Sequence, residues 1–255
     1  MSMDRRAFLG AAGLSALAMT GTQSLEALAG AGRPETTPEG RRAPRWGMVI
    51  DLRKCLEDRG CTDCIAACER AHNVPRLESR AHEVKWIWRE PYERAFAQRG
   101  SGYGDEALRG KRVPVLCNHC DNPPCVRVCP VKATWKRGDG IVMMDWHRCI
   151  GCRYCMAACP YGARSFNWLD PRPRVKEVNP DFPTRTRGVV EKCNFCEERL
   201  AQGRGPACVE ACRERALTFG DLRDPGSEVR GLLRSRHAMR RKPELGTEPS
   251  VYYLA

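Results

Sequence analysis

The sequence has few aromatic residues and no recognisable enzyme motif. Phenylalanine, tryptophan and tyrosine make up 7% of the 255 residues and the mean hydropathy is −0.52, so we expect a modest apolar core. No apolar run near the C-terminus is long enough to anchor the chain in a bilayer. Nucleophile-elbow, zinc-protease, P-loop and dinucleotide-binding motifs are absent, and the five histidines form no metal-binding pair at helical spacing. The sequence therefore gives no support for catalysis at a substrate.

Cysteine, by contrast, is abundant and grouped. All 16 cysteines fall into four motifs of four, so none remains for a disulfide framework or a lone nucleophile. The motifs are, in chain order, Cys55, Cys61, Cys64 and Cys68; Cys117, Cys120, Cys125 and Cys129; Cys149, Cys152, Cys155 and Cys159; and Cys193, Cys196, Cys208 and Cys212.

The third motif indicates what the cysteines bind. Its spacing, Cys-x2-Cys-x2-Cys-x3-Cys-Pro from Cys149 to Pro160, is the one that bacterial ferredoxins use to ligate 4Fe-4S clusters. Three thiolates from one tight loop hold one cluster, and the fourth cysteine, beyond the loop, ligates another. Four such motifs therefore predict four 4Fe-4S clusters with ligands exchanged between motifs.

Adjacency along the chain suggests which motifs exchange ligands. Only 19 residues separate the second motif from the third, so we expect these two to form one module. The hypothesis assigns one cluster to Cys117, Cys120, Cys125 and Cys159, and a second to Cys149, Cys152, Cys155 and Cys129. The remaining motifs then hold a third cluster on Cys55, Cys61, Cys64 and Cys212, and a fourth on Cys193, Cys196, Cys208 and Cys68. The first gap of the first motif is three residues longer than in the third, which leaves the role of Cys55 the least secure.

Two other uses of the thiols compete with this interpretation. Structural zinc prefers two Cys-x2-Cys pairs far apart in sequence, whereas the third motif packs four cysteines into eleven residues. Disulfides between cysteines two residues apart rarely meet the required geometry. A coloured, iron-rich protein distinguishes the cluster hypothesis from zinc.

The net charge of +12 would ordinarily suggest nucleic acid or an anionic membrane surface as a partner. A cluster core of about +2 inside four thiolates is net about −2, so four clusters would offset roughly eight of the positive charges. We therefore do not expect nucleic-acid binding. With a modest core, metal binding must supply much of the folding free energy.

Internal repetition predicts an α+β fold made of two ferredoxin-like double-cluster modules with pseudo-two-fold repeats, inserts and an extended C-terminal tail. An apolar strand, an aspartate and a basic residue precede the first ligand at Met48–Cys55 and again at Val142–Cys149. An alanine lies four positions after the last ligand in three motifs, and strand-like residues follow in two of them. A turn at residues 138–140 predicts a hairpin between residues 134–135 and 141–144.

These features divide the chain. The predicted parts are a signal peptide (1–31), a linker (32–45), the first module (46–80 and 188–221), an insert (81–113), the second module (114–163), an extended strap (164–187) and a C-terminal tail (222–255).

The N-terminus resembles a twin-arginine export signal. Arg5 and Arg6 precede Phe8 and Leu9, a weakly apolar run follows, and residues 27–29 form a small-x-small cleavage site. The competing interpretation is a poorly packed helix. Because the Tat route exports folded proteins, it suits clusters assembled in the cytoplasm, and we expect a periplasmic protein peripheral to the inner membrane.

Four local expectations follow outside the cysteine motifs. Apolar and polar residues alternate over Glu83–Trp88, which predicts a strand, and we expect its tryptophans to be packing residues rather than an electron relay. His119 lies between two ligands, where it either hydrogen-bonds a cluster sulfur or occupies the surface. Ser227 is placed to cap a helix through Arg240. The final residues are expected to be extended, with Tyr252 and Tyr253 docking on the domain or a partner.

Several segments resemble the four-cluster ferredoxin-like electron-transfer subunits of respiratory enzymes, and within them the DsrO-type periplasmic iron–sulfur subunits of sulfur-metabolising bacteria. The segments are residues 49–55, 61–68, 116–130, 182–186 and 241–253. The resemblance implies that all 16 cysteines are ligands. It also implies electron relay between a quinone-reactive integral membrane subunit and a periplasmic multihaem cytochrome c. The alternative is an electron-transfer subunit of a molybdopterin or nitrite reductase-type respiratory enzyme.

Overall fold

Short strands and helices alternate along residues 43–57, 60–97 and 106–255, which the computed structural model describes. The strands are β1 (Trp46–Asp51), β2 (Ile87–Pro91), β3 (Arg112–Leu116), β4 (Thr134–Lys136), β5 (Val142–Met144), β6 (Ser165–Phe166), β7 (Val190–Glu191), β8 (Leu217–Asp221), β9 (Ala238–Met239) and β10 (Val251–Leu254). The helices are α1 (Leu52–Glu57), α2 (Asp63–His72), α3 (Tyr92–Ala95), α4 (Pro124–Arg127), α5 (Tyr154–Ala158), α6 (Glu197–Leu200), α7 (Ala207–Glu210) and α8 (Glu228–Ser235). This mixed content agrees with the α+β class.

The predicted repeat appears as two strand pairs with matching hydrogen bonds. β1 pairs antiparallel with β8, and β5 pairs antiparallel with β4 in the expected hairpin. The backbone N–H of Asp51 donates to the carbonyl of Ala216 at 2.7 Å, and that of Asp145 donates to Ala133 at the same distance. Both aspartates then accept bonds, through Oδ1, from the backbone two and three residues ahead. Each aspartate thus turns the chain from a strand towards a cysteine loop.

The C-terminal tail completes the largest sheet. Its strand order is β8–β1–β10–β9, with β10 parallel to β1. Tyr253 is fully buried and packs edge-on against Phe96 at 5.0 Å, while the hydroxyl of Tyr252 accepts a bond from Arg240 at 2.7 Å. Both tyrosines therefore contact this chain, and the tail is an inner strand of a sheet rather than a loose extension.

The helix after Ser227 is shorter than predicted. It ends at Ser235, because Arg236 is extended (φ −132°, ψ 150°) and residues 238–239 form β9 against β10. The predicted end at Arg240 is therefore wrong: a nonlocal strand pairing replaces the last turn. The predicted cap is present, since Ser227 Oγ accepts from the backbone N–H of Arg230 at 3.4 Å and donates to the carbonyl of Asp221 at 2.6 Å.

Ser227→Ala is expected to destabilise the holoprotein by about 1 kcal/mol, because it removes an N-cap acceptor and a bond to the preceding strand. A loss of this size lowers the melting temperature of a chain this long by about 2–4 °C in a scanning calorimeter. Ser235→Ala is the matched control, since Ser235 donates only to carbonyls of its own helix. Equal effects of the two substitutions would contradict the cap assignment.

Strand β2 of the insert begins later than predicted and pairs with β3, which extends from the insert into the predicted second module. β2 runs from Ile87 to Pro91 and pairs with β3 from Ile87↔Leu116 to Pro91↔Arg112. The prediction of a strand over Glu83–Trp88 was therefore wrong at both ends. The backbone N–H of Lys85 donates instead to the side chain of Ser165 at 2.9 Å.

One hydrophobic cluster joins the insert, the large sheet and residues of the first and fourth cysteine motifs. The described residues from 43 onwards accordingly form one compact unit. The signal peptide and the linker up to residue 42 lie outside the described residues. Arg45, at the end of the predicted linker, is held by its backbone N–H to Asp221 at 2.7 Å and by its side chain to Asp121 at 2.9 Å. Within the described residues, no helix combines the length and apolarity that crossing a bilayer requires.

Candidate iron–sulfur centres

The 16 cysteines come together in four groups, which we call sites A to D in their spatial order. Site A is Cys129, Cys149, Cys152 and Cys155; site B is Cys117, Cys120, Cys125 and Cys159; site C is Cys68, Cys193, Cys196 and Cys208; site D is Cys55, Cys61, Cys64 and Cys212. The first two groups each line one cavity, and the last two are identified by the mutual influence of their thiols. All sixteen are free thiols.

Site A is formed by the tight loop of the third motif and one cysteine from the second. The loop requires glycine at position 151, where φ is +69° and a Cβ would lie 2.4 Å from the carbonyl oxygen of Gly188. Arg153 is also left-handed (φ 63°) and starts helix α5, which carries Cys155. Ile150 and Tyr154, in the same loop, are 64% and 63% exposed. Site A is therefore close to the protein surface.

Site B is built like site A, from three cysteines of one motif and one cysteine of the other. Pro124 occupies the first turn of helix α4 and sets the direction of Cys125, while Cys159 comes from the end of the third motif. Burial raises the pKa of Cys120 to about 12, and the neighbouring thiol of Cys117 adds to the increase. Sites A and B have thus exchanged their fourth cysteines.

Site C is the most enclosed, since all four of its cysteines are buried. Burial raises the pKa of Cys68 well above its usual value, and the thiols of Cys193, Cys208 and Cys196 raise it further. Two sulfurs also accept backbone bonds at 3.4 Å, Cys193 from Phe195 and Cys196 from Ala207. Such bonds to ligand sulfurs are among the factors that set cluster potentials.

Site D includes the cysteine whose role was least secure. Burial raises the pKa of Cys64 to about 12, with further contributions from Cys55, Cys212 and Cys61. Burial likewise raises the pKa of Cys55 to about 11, although Arg89 opposes the change. Cys55 therefore lies within its expected group, despite the longer gap in sequence between it and Cys61.

The donor sets suit a positively charged metal core. Four thiols converge at each site, and burial together with neighbouring thiols disfavours the thiolate form where the pKa is raised. Four thiolates so close together require compensating positive charge, which iron supplies when it coordinates and deprotonates them. Among the described residues, no aspartate, glutamate or histidine lines the cavities of sites A and B.

The sites follow one another in a row. The thiol of Cys125 in site B raises the pKa of Cys155 in site A, after burial raises it and Arg164 lowers it. Between sites B and C, the thiol of Cys117 raises the pKa of Cys193 more than any other thiol does, and only burial has a larger effect. Cys64 of site D acts on Cys208 of site C in the same way, though less than the thiols of site C itself. Packing supports the order A, B, C, D, since cysteines of sites A and B share one hydrophobic cluster and Cys117 of site B packs with cysteines of sites C and D in another.

His119 is buried, so the surface alternative is wrong. Its Nδ1 accepts from the backbone N–H of Val142 at 3.1 Å, and its ring stacks on Phe195 at 3.7 Å. Burial lowers its pKa well below the usual value, and the charges of Lys192 and Arg164 lower it further. The ring is therefore neutral beside site B. Its hydrogen bond to a cluster sulfur remains a prediction.

Sequence reasoning missed His72, which lies one helical turn after Cys68. His72 Nε2 pairs with Glu198 at 2.9 Å, and Nδ1 lies 3.0 Å from the carbonyl oxygen of Cys68. Burial lowers the pKa of His72, but Cys196 and Glu198 outweigh it and raise the value to about 9. The i, i+4 spacing from Cys68 was the available sequence clue. The donor atoms of His72, Cys196 and Glu198 lie within 4.8 Å of one another, so this group shares a cysteine with site C.

A buried ion pair lies in the same region as His72. Arg185 and Glu191 are both fully buried and 2.7 Å apart, and Trp86 Nε1 donates to Glu191 at 3.0 Å. Trp86 also stacks on His72 at 4.5 Å. Trp86 thus has a packing and hydrogen-bonding role in the structure.

Comparisons with known proteins identify the kind of domain that carries these cysteines. Residues 109–172 and 148–217 match two families of 4Fe-4S dicluster domain. The chain is 42% identical to the Hdr-like menaquinol oxidoreductase iron-sulfur subunit 1 of Archaeoglobus fulgidus, with 86% of each chain covered. It is 41% identical to the menaquinone reductase iron-sulfur cluster-binding subunit of Nitratidesulfovibrio vulgaris, over 83% of this chain and 89% of the relative. It is 39% identical to a tetrathionate reductase subunit of Salmonella typhimurium, over 100% of this chain and 89% of the relative.

The dicluster domains and the sixteen cysteines confirm the prediction of four 4Fe-4S clusters. The resemblance stated from sequence is confirmed for the broad group, whereas the relatives do not single out the DsrO type. From its relatives and its two dicluster domains, the chain belongs to the family of iron–sulfur electron-transfer subunits of redox complexes.

Proposed function

We propose that sites A to D each hold one cluster through the four cysteines that define the site. The convergence of these thiols supports the assignment, including the exchange of Cys129 and Cys159 between sites A and B. When bound, each 4Fe-4S cluster supplies a one-electron carrier. The chain's own residues hold the carriers in a row, shield the inner ones from water and set their electrostatic surroundings.

The proposed role is a relay that spans the protein from site A to site D. The exposure of the cysteines supports it. All four are buried at site C and two are buried at site B, whereas site A has three half-buried cysteines and site D has four. Partners that meet the chain at the two ends would exchange electrons with the outer sites. The inner sites B and C, which contain six of the seven buried cysteines, would connect them with less exposure to solvent oxidants.

For the partners, we propose a quinone-reactive integral membrane subunit and a periplasmic multihaem cytochrome c, in a DsrO-type complex of sulfur metabolism reached by Tat export. The relatives named for menaquinol oxidation and menaquinone reduction support the quinone side. The sequence resemblance and the twin arginines at residues 5–6 support the periplasmic side.

Purification of the tagged chain from native membranes in mild detergent tests this proposal. We expect a membrane subunit and covalently bound haem c in the same complex, with EPR-detected reduction of the clusters on addition of a menaquinol analogue. Haem staining and elemental analysis measure the composition. A complex that contains molybdenum and no haem c would overturn the proposal.

That outcome would favour the second candidate, an electron-transfer subunit of a molybdopterin or nitrite reductase-type respiratory enzyme. The observation in its favour is the tetrathionate reductase relative, which aligns with the whole of this chain. In that case the same four sites would serve a catalytic partner subunit.

A further inference from the structure

Arg164 is a buried cation between sites A and B. It follows Cys159 by five residues and is only 5% exposed. One of its guanidinium nitrogens, Nη2, donates to Cys125 Sγ at 3.1 Å and to Thr134 Oγ1 at 2.8 Å. The other, Nη1, lies 3.7 Å from the sulfur of Met144.

No acidic side chain of the described residues pairs with Arg164. Arg164 lines the cavity of site B together with Cys117, Cys125 and Cys159, and its guanidinium keeps its charge because arginine does not deprotonate in proteins. By comparison, the other deeply buried arginines, Arg185 and Arg241, pair with Glu191 and Glu90 at 2.7 and 2.8 Å. A buried charge is costly without a partner, so the counter-charge of Arg164 must be the sulfur ligands of sites A and B.

We propose that Arg164 is a positioning and tuning residue that raises the reduction potentials of the clusters at sites A and B together. Reduction adds a negative charge to a cluster, and a fixed cation a few ångströms away in a low-dielectric interior stabilises the reduced form. The hydrogen bond to Cys125 acts in the same direction, because it withdraws charge from a ligand sulfur. Since Arg164 bonds Cys125 of site B and also lies against Met144, which lines the cavity of site A, its effect is shared between two neighbouring carriers. This inference rests on the ligand assignment proposed above.

Arg164→Met tests it, because methionine fills the space of the arginine stem without the charge. At a fixed potential, the ratio of reduced to oxidised cluster should fall about tenfold at sites A and B, which is 59 mV for a one-electron couple. Sites C and D should change less than about twofold, since they lie farther from the removed charge. EPR-monitored redox titration of the anaerobic holoprotein, with iron analysis for full occupancy, measures both.

Arg148→Met is the matched control. It removes the same charge next to Cys149, but Arg148 is exposed and paired with Asp145, so water screens it and all four potentials should stay within about twofold. Arg164→Lys keeps the charge and should restore most of the lost ratio. A merely structural Arg164 would leave every potential unchanged in Arg164→Met, and that result overturns the proposal.

A second measurement on the wild-type chain covers the case in which Arg164→Met fails to assemble its clusters. With ¹⁵N-arginine incorporated, pulsed EPR of the reduced protein should detect guanidinium nitrogen coupled to the cluster signals of sites A or B. Its absence also overturns the proposal. A wrong ligand assignment has a different signature: Arg164→Met would still shift two clusters, but ligand substitutions would group the cysteines differently.

Discussion

Cys159→Ser is expected to change the EPR signal and potential of the cluster at site B while the cluster at site A keeps its own. The reason is that Cys159 belongs by sequence to the third motif but lies with Cys117, Cys120 and Cys125 in the cavity of site B. Loss of a thiolate ligand leaves one iron with a weaker oxygen donor or converts the cluster to a three-iron form. The affected cluster should therefore show a different spectrum rather than a small shift.

The reciprocal substitution is the control. Cys129→Ser should alter the signal of site A, because Cys129 lines that cavity with Cys149, Cys152 and Cys155. Cys120→Ser and Cys152→Ser, which remove ligands within the loops, identify which signal belongs to which site. If Cys159→Ser and Cys152→Ser altered the same signal, the exchange of ligands between the two motifs would be refuted.

Removal of iron is expected to abolish the native fold. Seven of the 16 cysteines are buried, and the strands and helices that present them are short. Without metal, the buried thiols of sites B and C have no compensating positive core, and the cysteine-bearing helices, of four to ten residues, have little stability of their own. After chelation under anaerobic, reducing conditions, near-ultraviolet circular dichroism should be lost and all 16 thiols should react rapidly with a thiol reagent.

The untreated holoprotein provides the comparison, since its cluster-bound sulfurs should react slowly. An iron-free chain that keeps its native dichroism and still protects the seven buried thiols would show that the polypeptide folds without its clusters. The folding role given to metal would then be wrong, although the clusters could still bind.

The cysteine sites were predictable from sequence because ligand spacing is a local property. A tight loop places three sulfurs together whatever the rest of the chain does, and Gly151 shows the steric demand that keeps this loop fixed. The repeat was also local, and Asp51 and Asp145 perform the same turn with the same pattern of hydrogen bonds. The motif also predicted the placement of Cys159 beside the second motif and of Cys129 beside the third.

The features that sequence reasoning missed depend on contacts between distant residues. The tail is an inner strand because β10 pairs with β1, which lies some 200 positions earlier in the chain. The helix after Ser227 ends early because the next residues form β9 and pair with β10. Arg164 and His72 carry no motif of their own. Their importance comes from the thiols and carboxylates that the fold places around them.

An anaerobic reductive titration of the purified chain tests the central claim most directly, with iron, acid-labile sulfide and EPR measured on the same sample. The account predicts about 16 iron and 16 sulfide atoms per chain, uptake of about four electrons, and spin coupling between neighbouring clusters. A pale protein with little iron, or one that takes up electrons at isolated centres without coupling, would contradict a row of four clusters.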